Sequence, residues 1–389
     1  MRQLACLLLV ASVAVAQPPI ASVTYQNPVA GVSLQVPEDW EMGTNDWGSL
    51  FIGLDADTSA GCPRTAPQLW FFYCKETPEQ MAAMLKQHVP MLGGQIASAG
   101  PTGRGAEWEV RFTSNGAGGA MQERWLCRTE RGLNYVIAAM VRPQLAAQVA
   151  GEVDTALASC QIIGGPKMKR FMEPRENAFR MLMPQDWQCQ SNIVRDMQTP
   201  GYFEWKASSP DSSCGAFSGK PGVFNITVPY MNAAQATQQY ILPGLAQQVP
   251  GLRLDSIKRL DRQSAYYQGV IQAAGLGKRP LVDKARVDFV ADRGGARIRI
   301  RATVATLQFD QSELLGGRND WMLYVCGAWA PDDQFDRLYP LGRGVIASLA
   351  TDPDWKARQL GTVSDVALDR AWLRDIAMWC WDVILTRLN

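Results

Sequence analysis

Val32-Ser-Leu34-Gln-Val36-Pro37-Glu-Asp39-Trp40 reappears later in the chain as Phe179-Arg-Met181-Leu-Met183-Pro184-Gln-Asp186-Trp187. Apolar residues fall on alternate positions, the strand period, and each run stops at proline. Proline fixes φ and aspartate bonds nearby backbone, so Pro-x-Asp-Trp can turn the chain and drop Trp40 or Trp187 onto a core. Just upstream, Tyr25-Gln-Asn-Pro28 recurs as Phe171-Met-Glu-Pro174. A repeat on this scale means a duplicated structural unit.

The order of elements after the motif supports that reading. Gln68 to Tyr73 corresponds to Val223 to Val228 as a β-rich run, followed by helices over Pro78 to Val89 and Ala233 to Ile241. Thr77 is a good N-cap and Pro78 suits a first helical turn. Strands are expected at Glu107 to Phe112 and Tyr266 to Ile271. Gln122 to Thr129 and Leu133 to Val141 follow in the first half, matched by Arg286 to Ala291 and Arg297 to Leu307. Trp321 to Trp329 is expected as an extra strand and Gln308 to Asn319 as an inserted loop. A helix closes each half: Leu145, Val149, Val153 and Leu157 form one apolar stripe, and Phe335, Leu338, Leu341, Val345 and Leu349 form another. Gly164-Gly165-Pro166-Lys167 is the natural linker. The 389 residues suit two or three domains.

The aromatic-x-x-Pro and Pro-x-Asp-Trp segments, carried by Tyr25, Pro28, Pro37, Asp39 and Trp40 and by Phe171, Pro174, Pro184, Asp186 and Trp187, resemble the start of PsbP-like domains. The helix ends Ala158-Ser159-Cys160 and Ala347-Ser348-Leu349 also look similar to that family's last helix. The resemblance implies an α+β fold of two tandem α/β/α sandwich domains, each a mainly antiparallel sheet with flanking helices, at 21–163 and 168–351. A C-terminal amphipathic helical segment, 352–389, follows. Family members act mostly as binding or accessory proteins, so no catalytic residue is implied.

Arg2, the apolar run Leu4 to Val15 and the small-x-small end Ala14-Val15-Ala16 read as a signal peptide, 1–16, and predict a secreted or periplasmic protein. Arg2 is the one charged residue in that segment, so the 38 basic and 37 acidic residues balance once it is removed. Nucleic-acid binding needs a basic field, and none is evident. The eight cysteines beyond Cys6 favour disulfides in an exported chain. Pairing within halves gives Cys62–Cys74, Cys127–Cys160, Cys189–Cys214 and Cys326–Cys380, against the alternative of free buried thiols.

Few residues suggest chemistry. His88 is the only histidine, set among Met84, Leu85 and Val89 as packing. Gly100 to Gly105 and Gly116 to Gly119 lack a P-loop's Lys-Ser/Thr ending and read as turns. Asp332-Asp333 follows Pro331 at a helix start, where acids favour the helix dipole. No metal or cofactor site is expected. Arg297, Arg299 and Arg301 share one strand face about 6.6 Å apart, a candidate anion-binding face; the alternative is a solvated face paired with Asp288 and Asp292.

Ser364 can cap a terminal helix whose Trp372, Ile376, Trp379 and Val383 form a candidate partner-docking face. Such a face would pack on the second domain, pair with another protein or protomer, or rest on a membrane. Together these readings give an exported, noncatalytic binding or accessory protein. The alternative is a hydrolase using a carboxylate pair in the cleft between the domains.

Overall fold

The computed structural model describes residues 22–44, 50–53, 67–116, 119–196, 199–219, 222–224, 228–273, 280–293, 295–308, 321–352, 354–355 and 358. The first motif forms a hairpin, β1 (Ser22–Asn27) with β2 (Val32–Pro37), joined antiparallel by β10 (Gln161–Ile162). Between these lie β3 (Glu41–Thr44), β4 (Leu50–Gly53), β5 (Gln68–Cys74), α1 (Pro78–Met91), β6 (Gln95–Pro101), β7 (Glu107–Gly116), β8 (Gly119–Glu130), β9 (Leu133–Val141) and α2 (Pro143–Ser159). The large sheet runs β3-β4-β5-β9-β8-β7-β6, antiparallel throughout. Thr77 caps α1 in a reciprocal capping box with Gln80.

The second half repeats this plan. β11 (Met168–Met172) pairs β12 (Phe179–Pro184), which pairs β21 (Ala350–Thr351). Its other strands are β13 (Gln188–Asp196), β14 (Thr199–Ser208), β15 (Gly215–Ser218), β16 (Gly222–Phe224), β17 (Arg253–Arg259), β18 (Leu281–Arg293), β19 (Ala296–Gln308) and β20 (Trp321–Pro331). They form a sheet ordered β13-β14-β15-β20-β19-β18-β17, with β16 also on β20. Strand for strand, the order matches the first sheet. The helices are α3 (Ala233–Ala236), α4 (Leu242–Gln248) beyond a π-turn, α5 (Asp261–Ala273) and α6 (Phe335–Ala347).

Two expectations need correction. Tyr266 to Ile271 is not a strand but lies within α5, where Ser264 and Tyr267, with Leu260 just before the helix, recur at helical spacing and are buried. Arg286 to Ala291 therefore belongs to β18 at the place held by β7. Trp321 to Trp329 is consequently no extra strand: β20 pairs with β15 and β19 as β9 does with β5 and β8. The loop at Gln308 to Asn319 falls almost wholly outside the described residues.

The motif does the same local work twice. Trp40 N–H donates to the Pro37 carbonyl at 3.1 Å and Trp187 N–H to that of Pro184 at 3.0 Å. Both indoles are buried. The closing helices are tied alike, by Gln35 N–H to Ser159 Oγ and by Leu182 N–H to Ser348 Oγ, each 2.8 Å. Alternation along β9 sends Tyr135, Ile137, Ala139 and Val141 into a core with Trp40 and α2, and Val136 and Ala138 into another under α1. That is a helix–sheet–helix layering. In the second half Trp187 and Phe335 share a core with Ala328 and Ala330, while Ile300, Ala302 and Val304 pack with α3 on the opposite face. Among the described residues no helix is long and apolar enough to cross a membrane.

The proposed disulfides Cys127–Cys160 and Cys189–Cys214 do not form. Cys127 lies in the core under α1 and Cys160 in the core on the sheet's other face. The register Cys189–Ala207–Ala216 sets β13 and β15 two strand spacings apart, roughly 9.6 Å, beyond the ~7 Å limit for a bridge. The thiols of Cys74, Cys127, Cys160, Cys189 and Cys214 are all free of disulfides. Burial pushes those of Cys127, Cys160 and Cys189 up to about 12. Cys62 and Cys380 lie outside the described residues.

Helix α6 lies between the halves. A Cβ at Gly342 would sit 2.6 Å from the Ala328 Cβ, and one at Gly344 would sit 2.7 Å from Asn27 Oδ1. Asn27 cannot swing away freely, because Oδ1 accepts from Val29 and Ala30 N–H at 3.0 Å each. Gly344→Val should therefore push the halves apart and cost about 1–3 kcal/mol, as overpacking does. Denaturant unfolding checks this, with a lowered midpoint expected; an unchanged midpoint would mean that the contact is not tight.

Candidate functional site

Strand alternation places Arg286 and Asp288 of β18 on the same sheet face as Arg301 and Thr303 of β19, since Arg286 is opposite Thr303 and Asp288 opposite Arg301. Above this face α6 carries Phe335, Tyr339 and Arg343, four residues apart and so on one helical stripe. The first half brings β1 and the Glu38-Asp39-Trp40 turn to the same place. Together they enclose a cleft of about 500 Å³ whose lining includes Tyr25, Glu38, Trp40, Arg286, Arg301 and Arg343.

Each guanidinium is held on one side. Arg286 Nη2 is 2.5 Å from Glu38 Oε1. Arg301 makes a two-point pair with Asp288, at 2.6 and 3.2 Å, and stacks 5.2 Å from the centroids of both Phe335 and Tyr339. Arg343 donates to the Trp40 carbonyl at 3.1 Å and lies 5.0 Å from the Tyr25 ring. Arg286 Nε and Trp40 Nε1 are buried with no hydrogen-bond partner.

The turn residues have opposite electrostatics. Burial pulls the Glu38 carboxyl upward, but hydrogen bonds from Lys258 and Arg286 outweigh it and hold the group below the usual carboxylate range. For Asp39 burial wins: its carboxyl is raised despite Arg262 at 3.3 Å, with Glu152 and Glu38 adding to the shift. No other residue hydrogen-bonds either Asp39 oxygen, and Arg262 also reaches Glu152 at 3.3 Å. Gln263 Nε2 donates to the Asp39 carbonyl. Burial also drives the Tyr25 phenol well above its ordinary value, so it stays a neutral donor.

The arginine triplet is divided. Arg301 lines the cleft, whereas Arg297 and Arg299 pair with Asp332 at 3.3 and 2.8 Å, and Arg299 also stacks on Phe335. Asp288 partners Arg301 as the alternative reading expected, while Asp292 pairs Arg253 at 3.2 Å. His88 is exposed on the last turn of α1. The docking face Trp372, Ile376, Trp379 and Val383 lies outside the described residues. Sequence reasoning missed Glu38, Arg286 and Arg343. The spacing of Tyr339 and Arg343 on α6 was the available signal for the last.

No known protein family matches the chain, and no curated protein does. Among solved structures it is similar to cyanobacterial PsbP (CyanoP) of Synechocystis sp. PCC 6803, at 10% identity over 37% of this chain and 94% of that one, TM-score 0.29. It is also similar to the immunity protein TplEi of the Pseudomonas aeruginosa T6SS, at 11% identity over 85% and 97%, TM-score 0.23. A third is LpqN, involved in cell envelope biogenesis of Mycobacterium tuberculosis, at 12% identity over 48% and 92%, TM-score 0.23.

A raised Asp39 makes its charged form a burden on folding. That burden is fully present above its folded-state value and is relieved as pH falls toward the ordinary aspartate range. Glu38 has the opposite sign: its contribution is present above the ordinary glutamate value and is lost as pH falls through its lowered one. Asp39→Asn should thus gain stability at neutral pH and lose part of the rise seen on mild acidification. Thermal unfolding from pH 7 down to pH 4 tests this; an unaltered pH profile would contradict the assignment.

Proposed function

We propose that this is a noncatalytic binding protein made of two copies of one α/β/α domain, 21–163 and 168–351, which holds its ligand in the cleft at their junction. The observation that carries this reading is the state of the cleft's charges. Glu38 is clamped between Lys258 and Arg286 and kept ionised, which unsuits it as the general acid of a hydrolase. The three guanidiniums are oriented by Glu38, Asp288 and aromatic rings, as in preorganised recognition rather than bond breaking. A cleft of this volume between two domains is a common place for a small-molecule site. The segment Arg2 to Ala16 supports export of the chain to the periplasm or beyond.

Native mass spectrometry of the protein purified from its own source tests the reading. Wild type should retain a small-molecule mass, and Thr303→Trp, which fills the cleft floor, should lose it. Turnover of an ester or glycoside that disappears in both Glu38→Gln and Asp336→Asn would overturn it in favour of a hydrolase.

A further inference from the structure

We infer that the ligand of this cleft is a monoanion with an apolar body, its charged end a carboxylate. The inference rests on the cleft being a binding site and adds the chemistry of what it takes. Charge sets the first half of the claim. Among the groups lining the cleft, Arg286, Arg301 and Arg343 face Glu38 and Asp336, three cationic groups against two anionic ones. One negative charge on a ligand completes the balance, whereas a polyanion would exceed it.

Geometry sets the second half. A guanidinium has five N–H donors in a planar fork. Each here spends only part of them: Arg286 on Glu38, Arg301 on Asp288 and Arg343 on the Trp40 carbonyl. The burial of Arg286 Nε without a partner shows that this donor is not satisfied within the fold. Planar donor edges arriving from β18, β19 and α6 suit the two oxygens of a carboxylate. Beside Thr24, Gln26, Gln263 and Thr303, the wall carries an apolar and aromatic stretch that includes Val23, Leu260, Tyr339 and Pro340. A body lying there would remove apolar surface from water, and its burial would contribute to affinity.

Isothermal titration with 2-naphthoate tests the claim, using acetate for charge without body and 2-naphthalenemethanol for body without charge. Naphthoate should bind, with both controls at least about tenfold weaker, as expected when a charge-assisted hydrogen bond is lost. Arg286→Gln should weaken naphthoate by a similar factor, whereas Arg297→Gln, outside the cleft, should leave it unchanged. Arg286 also holds Glu38, so Thr303→Trp serves as a second variant that blocks the cleft with every charge in place and should abolish binding. Equal affinity for the acid and the alcohol, or equal damage from Arg297→Gln and Arg286→Gln, would overturn the proposal. So would absence of naphthoate binding. If wild type still retained a different small molecule that Thr303→Trp loses, only the ligand class would fall and the binding reading would stand.

Discussion

Two carboxylates at a tight turn, withdrawn from water at the meeting of the halves, are the constraint around which this molecule is arranged. Taking Glu38 and Asp39 out of solvent is costly unless cations come with them. Lys258 of β17 and Arg286 of β18 reach Glu38, Arg262 of α5 reaches Asp39, and Arg343 of α6 holds the next carbonyl. These contacts place the second sheet's polar face against β1, and the cleft is the space left between them. Its guanidiniums are therefore positioned by the same bonds that join the halves.

The two occurrences of the Pro-x-Asp-Trp motif separate structural duty from this specialised one. Trp40 and Trp187 are both buried after the same turn hydrogen bond, so the indole belongs to the fold itself. The polar residues before it diverge. Glu38 and Asp39 are engaged across the junction, while Gln185 and Asp186 are exposed. A second difference matches the first: α5, which receives the first turn through Arg262 and Gln263, stands between β17 and β18, where the corresponding β6 and β7 are joined without a helix. Asymmetry between otherwise similar halves brings the first turn, and not the second, to this cleft.

Much of the architecture was legible because it depends on local period and punctuation. Alternation before Pro37 and Pro184, the Thr77 cap and the stripes of α2 and α6 each carry their own signal. Tyr266 to Ile271 misled because aromatic and β-branched residues imitate a strand over six positions, while burial at Leu260, Ser264 and Tyr267 reveals the helix only over a longer window. An even cysteine count suggested Cys127–Cys160 and Cys189–Cys214, which opposite sheet faces and strand register forbid. Arg301 was visible as part of a triplet, but not its separation from Arg297 and Arg299, which depends on where Asp332 falls after β20. Arg286 and Arg343 could not be joined to Glu38 by spacing, since only docking of the halves makes them neighbours.

A double-mutant cycle on Glu38 and Arg286, read by denaturant unfolding of Glu38→Gln, Arg286→Gln and the double variant, tests the junction most directly. If the turn is held by charge across the halves, the two substitutions couple by about 1–3 kcal/mol, in the range for groups in direct contact. Additive effects would show that Glu38 and Arg286 do not meet in solution, and the cleft they define would go with them.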